Sequence, residues 1–141
     1  MSLFSIFKRK PQIARRAFSA GYVQGRVQEE LGFKPSLADY SFDTLTLPEI
    51  KAAASSAFRP WVAEKWDCDN QALATLVELM EQGYHDQSRI AQPAAGVMQA
   101  DIDGERHAFI WWMDIAGIAR AFDQTTGFEI PADSIKNPAR L

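Results

Sequence analysis

The chain has 141 residues, is 47% hydrophobic and 23% charged, and carries a net charge of −3. That is an ordinary composition for one globular domain with a real core, and it gives no general affinity for nucleic acid. The single cysteine, Cys68, excludes an internal disulfide and suits a reducing compartment, and no stretch is long and apolar enough to span a bilayer.

The charge is unevenly placed. The first 16 residues hold five bases, Lys8, Arg9, Lys10, Arg15 and Arg16, and no acid, against ten bases and 18 acids in the rest. An apolar knot, Leu3-Phe4-Ser5-Ile6-Phe7, precedes the basic run, the reverse of the order in a secretory signal. Residues 1–10 therefore read as a basic arm: either a solvated tail or a docking arm for an acidic protein surface, nucleic acid or a membrane face.

Pro11 can open a helix, and Ala14, Phe18, Tyr22, Val23 and Val27 recur at helical steps, which predicts a helix over 12–31. Gly21 and Gly25 lie inside it, each costing about 1 kcal/mol against alanine. Gly32 and Pro35 end it, and residues 33–45 read as loop. Thr46-Leu47-Pro48-Glu49 is a capping box with an early proline, so a short helix is expected from Leu47 to Phe58, where Arg59-Pro60 breaks it. Another helix should open at Asp67 or Cys68 and run to Gln82, with an apolar stripe through Ala72, Leu73, Leu76, Val77, Leu79 and Met80 and Gly83 as its stop. Strands follow over 96–101, 106–114 and 118–123, the first two joined by the hairpin turn Asp103-Gly104. The residues from Lys136 on are expected to be loosely held.

Cysteine at a helix N-terminus, then histidine, then an acid is an order that permits nucleophilic chemistry. Cys68 would feel the positive helix end, which favours thiolate. His107 in Arg-His-Ala-Phe-Ile-Trp-Trp would take the proton, and Asp123 in Ala-Phe-Asp-Gln-Thr-Thr-Gly would orient the imidazole. A three-residue loop at 114–116 sets the antiparallel register so that His107 faces Asp123. A two-residue loop brings Gln124 opposite instead. Backbone N–H groups at the start of the Cys68 helix could hold an oxyanion, and the Trp66 indole N–H is a further donor candidate. Each residue also has an ordinary reading: Cys68 as a small buried hydrophobe, His107 as a core histidine, Asp123 as a cap for the turn Thr125-Thr126-Gly127.

The segments Trp66-Asp67-Cys68-Asp69-Asn70-Gln71-Ala72, His107-Ala-Phe-Ile-Trp-Trp112 and Phe122-Asp-Gln-Thr-Thr-Gly127 resemble the papain-like cysteine-protease domain of fungal chimeric agglutinins and related bacteriophage and bacterial proteins. The resemblance covers about residues 60–130. It implies Cys68 as nucleophile, His107 as base and Asp123 as third member. In the agglutinin branch it implies calcium near the site, for which Asp69 and Gln124 are the only candidates, and one carboxylate makes a weak calcium site. No cofactor or metal is therefore expected. The expected architecture is α+β and papain-like or transglutaminase-like, a central helix on a small antiparallel sheet with N-terminal helices. The expected organisation is an arm at 1–10 and one domain over 11–141, with a helical part at 11–58 and a core at 60–130. The expected function is a cysteine hydrolase acting on a peptide or amide bond, with orienting or oxyanion help from Gln124, Asp69 and Trp66. The rival is a bacteriophage virion or assembly protein that keeps the fold without catalysis and docks through its N-terminal residues on another protein. The expected location is the cytoplasm, or the host cytoplasm or virion for a phage-encoded chain.

Overall fold

The computed structural model describes residues 14–63 and 65–141. The 1–10 arm, and the opening of the expected 12–31 helix, lie outside the described residues. The chain first forms β1 (Ala17–Ser19) and α1 (Ala20–Leu31), then β2 (Ser41–Asp43), α2 (Leu47–Ala57) and α3 (Cys68–His85). The strands β3 (Gln92–Pro93), β4 (Ala95–Ile102), β5 (Glu105–Met113), β6 (Ala119–Asp123), β7 (Phe128–Ile130) and β8 (Lys136–Arg140) complete it.

The expectation of one helix on a small sheet is corrected. A five-stranded antiparallel sheet in the order β7-β6-β5-β4-β8 dominates, with a second, three-stranded sheet β1-β2-β3 beside it. Helices cover both faces of the large sheet. The β5 pleat decides which residue meets which helix. Phe109, Trp111 and Met113 join Val23, Val27 and Leu31 of α1 in one cluster. Ala108, Ile110 and Trp112 point the other way, to α2 and α3, where Ile110 and Ala108 meet Ala72 and Trp112 meets Ile50, Leu79 and Phe122.

Several local departures have plain causes. The first helix starts at Ala20 because the preceding backbone is used elsewhere: Arg16 accepts from the Thr44 N–H at 2.9 Å, and Ser19 Oγ caps the helix by accepting from Tyr22 N. Strand β2 arises inside the expected 33–45 loop because Phe42 pairs with Phe18 on one side and Gln92 on the other. The residues from Lys136 on form β8 against β4, with a register shift between Gln99 and Asp101, and Pro138 lies at the outer edge.

Gly83 does not stop α3, which continues to His85. Its missing side chain has another use. A Cβ there would lie 2.9 Å from an Arg89 guanidinium nitrogen, so glycine is what lets Arg89 lie across the helix and donate to the Leu79 carbonyl at 2.6 Å.

Arg89 belongs to a buried ionic cluster that fixes α2. Glu49 is the capping-box acid, accepting from Thr46 N at 3.0 Å. It also accepts from Arg15 at 2.6 Å and from Arg89 at 2.9 Å. Burial opposes its charge, but the hydrogen bonds from Arg15, Arg89 and Thr46 outweigh burial and hold its carboxyl below the ordinary range. Ser88, above all, lowers Asp86, which receives Arg15 at 3.0 Å. One segment, β1's approach, is thus tied to the starts of α2 and the end of α3.

Candidate functional site

The β5–β6 register differs from either expected one. Met113 pairs with Ala119 across a five-residue connection, and Ile110 pairs with Phe122. The loop is longer because Asp114 Oδ1 accepts from both Ala116 N and Ile118 N, each at 3.0 Å, and Gly117 takes φ 79°. Continued by the same rule, the register sets Ala108 opposite Gln124 and His107 opposite Thr125 rather than Asp123.

The pleat sorts the expected site residues. Cys68 packs against the Ala72, Ala108 and Ile110 cluster on the α3 face. His107 is paired with Ala100, a member of the α1-face cluster, and its Nε2 lies 3.6 Å from Glu105. Asp123 closes its own turn, with Oδ1 accepting from Thr125 N at 2.9 Å and Thr125 Oγ1 at 2.5 Å. No hydrogen bond joins Cys68, His107 and Asp123 among the described residues. Asp69 Oδ1 accepts from Asn70 N at 3.1 Å, and the Trp66 indole donates to Gln71 Oε1 at 2.6 Å. Among the described residues no group of three or more His, Cys, Asp or Glu side chains could hold a metal ion, and no helix is long and apolar enough to cross a membrane.

Gln124 is the residue that the fold brings to Cys68. It is 4% exposed, and its Nε2 donates to the Cys68 carbonyl at 3.1 Å and to the Ala108 carbonyl at 3.0 Å. Two carbonyl acceptors fix which end of the amide is nitrogen. The other end, Oε1, is buried without a partner. An unpaired buried acceptor costs about 1–3 kcal/mol, so such an atom is expected to meet a donor in use.

The same glutamine lines a cleft of about 440 Å³ between α2 and the β6–β7 turn. Lys51, Ser55 and Phe58 form its α2 wall, and Thr125, Thr126 and Gly127 its turn wall. Phe58 is 59% exposed at the helix end. Gly127 at φ 81° closes the turn by donating to the Asp123 carbonyl at 2.8 Å. Lys51, Ser55, Phe58 and Thr126 were not read as site residues, because only the tertiary pairing of the α2 end with a distant turn joins them. The available hint was Phe58, a large ring directly before Arg59-Pro60 with no periodicity to bury it.

No family model matches the chain, and no curated protein matches it in sequence. Solved structures do match its fold. The PSL1a–E64 complex superposes with a TM-score of 0.73 at 20% identity, over 85% of this chain and 49% of that one. The Polyporus squamosus lectin bound to the human-type influenza-binding epitope Neu5Acα2-6Galβ1-4GlcNAc superposes with a TM-score of 0.71 at 18% identity, over 84% and 46%. The fold is thus of the class found in that fungal lectin, strand-rich with a five-stranded antiparallel sheet between helices. The chain spans about half the length of the lectin chains it matches.

These findings correct four expectations. The two structures named are those of a lectin, so the assignment to the papain-like cysteine-protease family is corrected, and with it the papain-like architecture. The cysteine hydrolase with a Cys68–His107–Asp123 triad loses the resemblance that carried it. The bacteriophage virion alternative finds no support in either of these two structures.

Proposed function

We propose that the chain is a saccharide-binding module and that the cleft between α2 and the β6–β7 turn is its site. The observation that carries the reading is the cleft lined by Gln124, whose Oε1 is buried beside it without a partner, together with Lys51, the exposed Phe58 and the hydroxyls of Ser55, Thr125 and Thr126. A sugar ring offers what these groups lack. Its hydroxyls donate to an amide oxygen and exchange bonds with Ser55, Thr125 and Thr126, while its apolar C–H face covers an exposed ring such as Phe58. The preformed amide, locked by two carbonyls, costs little to order on binding. The match to a lectin described as holding Neu5Acα2-6Galβ1-4GlcNAc adds support and names a first ligand to try.

The test is calorimetric titration of the whole chain with Neu5Acα2-6Galβ1-4GlcNAc and with Galβ1-4GlcNAc, alongside a broad glycan array. At least one glycan should bind, and Gln124→Ala and Phe58→Ala should each weaken it by about tenfold or more. The reading fails if no glycan binds, or if binding survives both substitutions unchanged. It fails as well if the chain turns over an amide substrate and Cys68→Ala abolishes that turnover.

A further inference from the structure

The cleft between α2 and the β6–β7 turn carries a charge that a neutral sugar does not need. Lys51 and Ser55 stand four residues apart on α2 and Phe58 follows at its C-cap, so a cation, a hydroxyl and a ring line the cleft in one row. Lys51 is exposed, and no acid lines the cleft with it. The acids of the walling elements are engaged elsewhere. Glu49, the one acid of α2, receives Arg15 and Arg89. Asp123, the one acid of β6, accepts from Thr125 N and Thr125 Oγ1. Glu129, the one acid of β7, receives Arg120 at 3.1 Å. Among the described residues Lys51 is left without an acid partner. Beyond residue 16 the chain holds ten bases against 18 acids, so a cleft with a base and no acid stands against its general charge.

Resting on the saccharide reading above, we infer that the cleft selects acidic saccharides, those bearing a carboxylate or a sulfate, and that Lys51 reads the charge. An anion placed there gains the Lys51 ammonium, and the Ser55 and Thr126 hydroxyls in the same cleft can donate to it as well. No carboxylate on the walls repels it. A charge-assisted hydrogen bond in a partly enclosed cleft is worth about tenfold in affinity, more than an open surface pair gives. The rise along α2 from Lys51 to Phe58 is about 10 Å, longer than one sugar ring. The acidic group therefore suits a unit beside the one that covers Phe58, and the fitting probes are disaccharides or longer.

A glycan array read with the full chain, Lys51→Met and Lys51→Glu tests the assignment. Each acidic glycan is compared with its own neutral core: sialylated and sulfated Galβ1-4GlcNAc against Galβ1-4GlcNAc, and uronic-acid glycans against their neutral counterparts. Within a pair the native chain should bind the acidic member about tenfold more tightly, and the ratio should shrink as salt rises. Lys51→Met should bring the ratio near one, and Lys51→Glu should invert it. Preference in the carboxylate pairs alone, or in the sulfate pairs alone, supports the inference and names the anion. Lys51 is exposed and methionine is as good a helix former, so unchanged circular dichroism and melting temperature will show that the fold is kept. Equal binding of acidic and neutral members by the native chain overturns the inference and leaves the saccharide reading standing. So does an acidic preference that both variants preserve. Binding to no glycan at all overturns both.

Discussion

The two faces of the five-stranded sheet are built from the same strands and differ in what they leave unfinished. Beneath α1, one continuous cluster joins Val23, Val27, Phe109, Trp111 and Met113. Among the described residues that face has no buried side-chain nitrogen or oxygen without a partner. Toward α2 and α3 the core is split into two smaller clusters. The buried atoms without partners, on Asp67, Gln71, Arg89, Trp112 and Gln124, lie on this side. One face is sealed by apolar area. The other holds polar groups in place by ionic and amide bonds, at a cost in stability that a ligand can recover. Alternating residues of one strand, β5, thus enter a sealed face on one side and a face with unpaired polar groups on the other.

Substitution can break this contrast at several points. The largest effect is expected at Glu49, where Glu49→Gln leaves Arg15 and Arg89 buried without their shared carboxylate. The loss should be about 3–5 kcal/mol in chemical denaturation. A change below about 1 kcal/mol would mean that the cluster does not anchor α2. The same group sets a pH dependence. Its carboxyl is lower in the folded than in the unfolded chain, so its stabilising effect is full above the ordinary glutamate pKa, about 4.3, and is lost as pH falls through the depressed value. Melting curves between pH 6 and pH 3, taken as rough bounds of that range, should fall steeply for the native chain and more gently for Glu49→Gln.

On the α1 face, Gly96→Ala comes next. A Cβ at Gly96 would sit 2.6 Å from Trp111 Nε1, and Trp111 is 1% exposed with nowhere to move. Overpacking there should cost about 1–3 kcal/mol in melting experiments. Wild-type stability would show that the sealed face has slack. The smallest effect is expected across the strand. The Trp112 indole N–H is buried without a partner, so Trp112→Phe gives up ring area but also removes an unpaid donor. The net change should stay within about 1 kcal/mol. A larger loss would reveal a partner for that N–H and blur the difference between the faces.

Legibility in the sequence followed the range of the interactions. The α2 start could be read because Thr46, Pro48 and Glu49 act on one turn of backbone, and the β4–β5 hairpin because Asp103 and Gly104 take the positive φ values, 52° and 82°, that their types permit. The α3 start at Cys68 was read from its stripe. The β5–β6 register was not, because a side-chain carboxylate, Asp114, organises the longer loop. Gly83 looked like a helix stop because its real neighbour, Arg89, is visible only after folding. Strands β2 and β8 escaped for the same reason, since their partners lie far off in the chain. For the site, Gln124 was already an orienting candidate, and Asp123 as a turn cap was already the ordinary reading. Of the wall of Lys51, Ser55 and Phe58, only Phe58 left a local hint, and its joining to a distant turn left none.

Pro138 carries a consequence for how molecules meet one another. A sheet ending in an open strand invites a neighbour to extend it, molecule upon molecule. Here the outermost strand offers a ring without an N–H, a broken register and the cations Lys136 and Arg140. Growth into ribbons is blocked on that side by the last strand to join, so crowding should drive these molecules toward separate particles rather than fibres.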